Sequence, residues 1–161
     1  MSAYEWMAEK LKDPATDTAP KRATMKVQLD PGAIMPTRAH ELDAGYDIYS
    51  REDAVIFQNS SGTFDTGVHM EIPAGYVGFL KSKSGLNVKS GIQSEGVIDA
   101  GYTGSICVKL YNHGARAINI QKGQKISQLV ILPIYTPELV EVDRLEDTER
   151  GSNGFGSSGK F

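Results

Sequence analysis

Ser105-Ile106-Cys107-Val108-Lys109-Leu110-Tyr111 reads as a strand with two unlike faces. Ile106, Val108 and Leu110 fall on one side, and Ser105, Cys107, Lys109 and Tyr111 on the other. That is the two-residue period of a half-buried β-strand. Outward from this run the same signal recurs from Met25 onward. Short alternating stretches are broken by Gly and Pro at the spacing of an all-β sandwich or barrel. The expected strands are 25–29, 46–50, 54–57, 64–70, 76–82, 105–111, 117–120 and 125–134. Pro36, Pro73 and Pro133 fall at strand edges or ends, where a missing N–H is tolerated.

The one helical pattern lies at the start. Tyr4, Met7, Ala8 and Leu11 stand at i, i+3, i+4 and i+7, and Asp13-Pro14 ends the run. Residues 13–22 offer little to bury. The chain therefore divides into an N-terminal extension (1–22), a β domain (23–148) and a Gly/Ser-rich arm (149–161). The arm, Arg150-Gly-Ser-Asn-Gly-Phe155-Gly-Ser-Ser-Gly-Lys-Phe161, has too little apolar surface to order itself. A free tail is one reading. The other is an arm that orders over a ligand, with Phe155 stacked on a flat ring and Arg150 on an anion.

The bulk properties exclude several classes. The 161 residues suffice for one domain with a core. A net charge of −3 argues against duplex-DNA binding, though not against a small anionic ligand. A single cysteine, Cys107, excludes an intrachain disulfide and fits a reducing compartment. No apolar run approaches a membrane span and the N-terminus has no signal-peptide pattern, so the expected location is the cytoplasm, of a cell or of an infected host cell. His40, His69 and His113 stand far apart, and with one cysteine they build no zinc-type site. Gly154 to Lys160 matches the opening of a phosphate-binding P-loop, but the Ser/Thr, the preceding strand and the following helix are all missing.

Three segments carry possible chemistry. In Gly96-Val-Ile-Asp99-Ala-Gly-Tyr102-Thr-Gly104, Asp99 at a tight turn either orients a water as general base or simply forms the turn. In Lys81-Ser-Lys83-Ser84-Gly85-Leu-Asn-Val-Lys89, a strand leads to a short helix whose start suits phosphate, or is merely a capped helix with solvated lysines. In Ala44-Gly-Tyr-Asp47-Ile-Tyr-Ser50, Asp47 points inward and needs a partner or hydrated metal, or points outward into water.

In order along the chain, Ala44–Asp47, Ser84–Leu86 after a cation, Gly96–Gly104, Gly123-Gln-Lys-Ile-Ser-Gln128 and Arg150–Gly159 resemble the five motifs of the trimeric dUTP pyrophosphatase (dUTPase) family. Thr66-Gly67-Val68 and Ile72-Pro-Ala-Gly-Tyr76 also look like that family, and the resemblance runs from about residue 25 to the end. It implies a jelly-roll-like β-barrel, a homotrimer and active sites shared among chains. It implies hydrolysis of dUTP to dUMP and pyrophosphate with Mg2+, limiting uracil in DNA and supplying dUMP for dTMP synthesis. By the same resemblance Asp99 holds the attacking water, and Tyr102 packs under the deoxyribose and excludes a 2′-hydroxyl. Gln93, Gly96, Ile98 and the Cys107 backbone read uracil, while Lys83, Ser84, Gly85 and Gln128 take phosphates. Asp47 bonds to waters of a Mg2+ held mainly by the triphosphate. Phe155 and Gly156 close over the base, and Arg150, Ser157 and Ser158 reach the γ-phosphate.

Two departures stand out. Lys83 replaces the usual arginine and loses its bidentate fork. Ser127 stands where alanine is frequent and is expected to matter little. Residues 1–22 lie outside the resemblance and are open either to a protein partner or to no role. The alternatives are a dCTP deaminase-like or bifunctional enzyme of the same fold, or a nucleotide-sensing regulatory module.

Overall fold

A computed structural model describes residues 24–148 and 150–152. The helix expected over 3–12, the linker to 22, and Phe155, Gly156, Ser157 and Ser158 lie outside the described residues. The ordered elements are β1 (Val27–Leu29), β2 (Gly45–Tyr49), β3 (Ala54–Ile56), β4 (Ser61–Asp65), β5 (Val68–Met70), β6 (Tyr76–Ser82), α1 (Ser84–Ser90), β7 (Ile92–Ile98), β8 (Cys107–Asn112), β9 (Ile118–Ile120) and β10 (Lys125–Pro133). No helix among them is long and apolar enough to cross a membrane.

Six strands form one antiparallel sheet in the order β2-β10-β6-β7-β8-β4, and the pairs β1-β5 and β3-β9 close over it. This is the all-β architecture expected from the alternation, in the jelly-roll-like form implied by the resemblance. Ile48, Leu80, Val108, Leu110, Ile126 and Leu129 are essentially out of water at its centre. Each such side chain contributes about 2 kcal/mol by leaving water. The register carries a polar row across the outer face, where Asp47 opposes Gln128, Gln128 opposes Lys81, and Lys81 opposes Glu95.

Two expectations change. The single strand expected over 64–70 is two, β4 and β5, turned at Thr66-Gly67. Gly67 takes φ +65°, and the space a Cβ would fill there holds the guanidinium of Arg51. β7 was not among the expected strands at all. Its inward positions include Ser94 and Gly96, so the apolar alternation is hidden. Gly96 is small because Leu80 lies directly across from it, with a methyl 3.0 Å from where a Cβ would stand.

Ser94 is explained by Ser127, which also corrects the expectation that Ser127 is incidental. Both are buried, and their hydroxyls meet at 2.6 Å. Ser127 also reaches the Lys81 carbonyl at 3.1 Å. Ser127→Ala strands the Ser94 hydroxyl in the core, and thermal unfolding should show a loss of about 1–3 kcal/mol. An unchanged melting temperature would count against that pairing.

The last strand ends at Pro133, within one residue of the strand expected over 125–134. Residues 134–148 run exposed along the outside with Tyr135, Leu139, Val140, Val142 and Leu145 in water.

Candidate active site

The site residues fall into two groups at opposite ends of β6. The first gathers where β6 ends, β2 and β10 meet, and α1 begins. Asp47 is 4% exposed, and its Oδ1 and Oδ2 pair with Lys83 at 2.5 Å and Lys125 at 2.6 Å. Burial pushes the carboxyl up, but the hydrogen bonds from Lys125 and Lys83 outweigh it and hold Asp47 below the usual carboxylate range. Gln128 is the registered neighbour of Asp47 and donates Nε2 to the Ser82 carbonyl at 3.1 Å. Gly45 makes room for that amide, since a Cβ would come within 2.6 Å of its Oε1.

Lys83 is the N-cap of α1 and supplies no side-chain cap, because an ammonium cannot accept the orphan N–H groups. It is paired with Asp47 rather than solvated. Ser84 and Gly85 follow, exposed, with open space above Gly85. Gly91 ends the helix in the left-handed region at φ 67°.

Lys125 was not among the expected site residues. The signal was available: a cation two residues beyond Gly123, at the start of a strand whose register sets Gln128 against Asp47.

These residues do not fit a resident magnesium ion. Both oxygens of Asp47 face ammonium groups, and among the described residues no cluster of three or more His, Cys, Asp or Glu stands ready to hold a metal. Two ammonium groups at the carboxylate repel a divalent cation, and suit an anion nearby.

The second group is the β7–β8 hairpin. The two strands are registered only from Ile92↔Asn112 to Ser94↔Leu110. Beyond that, β7 stays on β6 (Gly96↔Leu80, Ile98↔Gly78) and β8 stays on β4 (Cys107↔Asp65). The strands part, and the main chain of Gly96–Ile98 and of Cys107 borders the fork. Gln93 is half-buried at its root and Cys107 is exposed at its mouth.

Asp99 follows β7 directly. Its carbonyl accepts Tyr102 N–H at 3.2 Å, closing a turn in which Gly101 takes φ +87°. The Asp99 carboxylate is exposed and makes no hydrogen bond or ion pair with the described residues. Tyr102 donates its hydroxyl to the Ser105 carbonyl at 3.0 Å, and its ring lies where a Cβ on residue 104 would stand, hence Gly104.

The two groups are not one site within a chain. Ile98 opposes Gly78, five residues before Lys83, so Asp99 and Ser84 are separated by roughly 20 Å along the strand. Arg150 lies at a turn in which Gly151 N–H reaches the Thr148 carbonyl at 3.0 Å.

The dUTPase family model matches residues 32–159. The chain is 40% identical over 141 residues to the deoxyuridine 5′-triphosphate nucleotidohydrolase of Clostridium tetani, covering 85% of this chain and 97% of that one. It is 40% identical over 145 residues to the enzyme of that name from Saccharomyces cerevisiae, covering 88% and 99%. Among solved structures, the dUTPase of Staphylococcus bacteriophage 80alpha with dUpNHpp superposes with a TM-score of 0.79 at 37% identity, covering 84% of this chain and 98% of that one. A dUTPase from phage phi11 of S. aureus, described with a structural Mg(II) ion, gives 0.72 at 35% identity over 78% and 100%.

Proposed function

The chain belongs to the dUTPase family, and from that premise we propose that it hydrolyses dUTP to dUMP and pyrophosphate at sites shared between copies of itself. The observation that carries the shared site is the separation of Asp99 from Lys83, Ser84 and Gln128 along β6. A nucleotide whose α-phosphorus meets Asp99 and whose phosphates meet Ser84 needs those residues from different chains. The exposed apolar run from Tyr135 to Leu145 supports such an assembly, because its side chains find no cover on their own chain. A closed homotrimer repeats one heterologous contact three times and so completes three sites.

In this reading the uracil edge enters the β7–β8 fork, where main-chain groups near Gly96, Ile98 and Cys107 supply fixed donors and acceptors. A base of the wrong pattern leaves them unpaired, which discriminates strongly. Tyr102 closes the space beside the sugar carbon that carries a 2′-hydroxyl in UTP. Asp99, without a competing partner, accepts a proton from water as the water oxygen bonds to the α-phosphorus. The bond from that phosphorus to the bridging oxygen breaks opposite, and pyrophosphate leaves.

Lys83 and Lys125, gathered by Asp47, offset the triphosphate's charge, and Gln128 and the Ser84-Gly85 backbone orient it. Magnesium rides on the triphosphate as part of the substrate. Arg150, Phe155, Gly156, Ser157 and Ser158 are the proposed closing arm. The proposed location is the cytoplasm.

Pyrophosphate release should be measured with dUTP, dCTP, dTTP and UTP at equal concentration, with the bases followed by chromatography. Release confined to dUTP is expected. Uracil appearing from dCTP would turn the reading to a deaminase, and binding without release to a nucleotide sensor.

A further inference from the structure

His69, on β5, lies outside the five motifs yet touches the loop that carries Asp99 and Tyr102. Its Nδ1 stands 2.8 Å from the Thr103 carbonyl, and its Nε2 stands 3.3 Å from Oδ1 of Asp30. A carbonyl only accepts, so Nδ1 carries a proton. A carboxylate also only accepts, so the ring satisfies both partners only as an imidazolium.

The surroundings favour that form. Asp30 follows β1 and Asp65 ends β4. Among the described residues the other cation facing them is Arg51, which pairs with Asp65 at 2.6 Å and lies 3.7 Å from Asp30. The bond to Thr103 and the charges of Asp30 and Asp65 raise the His69 pKa above its ordinary value, with burial acting against them.

The same cluster anchors the exit of the loop. Asp65 accepts from the Ser105 hydroxyl, and Gly67 N–H donates to Ser105 Oγ at 2.9 Å and to Asp65 at 3.1 Å. Thr66 Oγ1 donates to the Ile106 carbonyl at 2.6 Å. Residues 105 and 106 are thus held by β4, β5 and the corner between them. Residues 99–102 are held by their own turn and by Tyr102 on Ser105. Thr103 lies between these two anchorages, and the tie from outside the loop at that residue is His69.

We propose that His69, backed by Asp30, is a positioning residue for the Asp99–Gly104 segment, holding Thr103 so that Tyr102 keeps its place beside the sugar. The selection of deoxyribose over ribose in this proposal rests on the function proposed above. The positioning itself does not.

The sign of the pH dependence follows. Below its pKa the imidazolium holds both Thr103 and Asp30. As pH rises through that pKa the neutral ring faces Asp30 with a lone pair, and the tie to Thr103 loosens. Sugar selection is strongest on the acid side and declines towards alkaline pH.

The test uses the full chain as wild type, His69→Ala, His69→Asn and Asp30→Asn. Two quantities are read across mildly acidic to mildly alkaline pH: amide hydrogen exchange in the segment 99–106, and the ratio of kcat/KM for dUTP to that for UTP. His69→Ala should speed exchange in the segment while the rest of the sheet stays protected, and should cut the ratio about tenfold, since small displacements at a reacting site are costly. His69→Asn keeps a donor near Nδ1 without titrating. It should restore most of the ratio and flatten its pH dependence. Asp30→Asn should move the inflexion to lower pH.

Wild-type exchange in 99–106 for His69→Ala would overturn the proposal whatever the activity shows. So would a dUTP/UTP ratio that neither falls in His69→Ala nor flattens in His69→Asn. Failure of the wild type to release pyrophosphate from dUTP would instead remove the proposed function, and the exchange measurement would still decide the positioning.

Discussion

Asp99→Asn is expected to lower the turnover of dUTP about a thousandfold while leaving its binding within a few fold, the range set by loss of a positioned general base. Three features of the chain bear on this. Asp99 is exposed after β7, so the change buries nothing new. The turn depends on the residue's carbonyl, which accepts from Tyr102 N–H, and asparagine keeps that carbonyl. The carboxylate has no partner among the described residues, so its removal breaks no pair and frees no cation. What changes is the ability to take a proton from water, because an amide nitrogen donates where a carboxylate oxygen accepts. The fall should therefore appear in kcat, with the affinity for dUTP by calorimetry and the melting temperature near those of the wild type. Turnover within tenfold of the wild type would remove Asp99 from the role.

The all-β architecture was legible because its apolar strands alternate. Residues 105–111 alternate in sequence, and Val108 and Leu110 are buried as that pattern requires. β7 was illegible for a physical reason. Its inward side chains are partly Ser and Gly, and both make sense only through residues distant in sequence, Ser127 two strands away in the same sheet and Leu80 on the next strand. A single strand cannot announce a hydroxyl pair it has not yet met. The split of 64–70 was hinted at by Gly67 but needed Arg51 to explain why the chain turns there.

The site was legible as motifs and illegible as geometry. Asp47 was expected either outward in water or inward beside a partner or a hydrated metal, and it is buried with two partners, Lys83 and Lys125. Burial of a carboxylate demands a counter-charge. Which charge supplies it depends on strand order, since Lys125 reaches Asp47 only because β10 lies against β2. The loss of the arginine fork at residue 83 also reads differently in this light. Two lysines share one carboxylate there, and a point charge that can swing between Asp47 and a phosphate serves where a rigid fork is absent.

The distance between the two halves of the site yields the other large effect. Asp99→Asn and Lys83→Glu should each be nearly inactive alone, the second because reversed charge pairs with Lys125 and repels the triphosphate. Asp99 is exposed, so its change disturbs nothing buried, whereas Lys83→Glu sets a carboxylate beside the buried Asp47, so the fold of that variant is checked by its melting temperature before mixing. If each site lay within one chain, mixing the two variants would recover nothing, since every site would carry one defect or the other. In the shared arrangement a site takes Asp99 from one chain and Lys83 from another. Random assortment of the two variants at equal amounts then leaves about a quarter of sites with both residues intact in a closed ring of like contacts. The mixture, unfolded and refolded together so that chains exchange, should regain activity towards that fraction of the wild-type value. Each variant refolded alone should stay inactive. Recovery separates the two arrangements because it rises from near zero, where no change of rate constant in either parent can imitate it. A mixture as inactive as its parents, with chain exchange shown by mass spectrometry, would refute the shared site and require the roughly 20 Å between Asp99 and Ser84 to close within one chain. The register of β6 against β7 opposes that closure, because sliding the strands by even one residue turns every core side chain of β7 towards solvent.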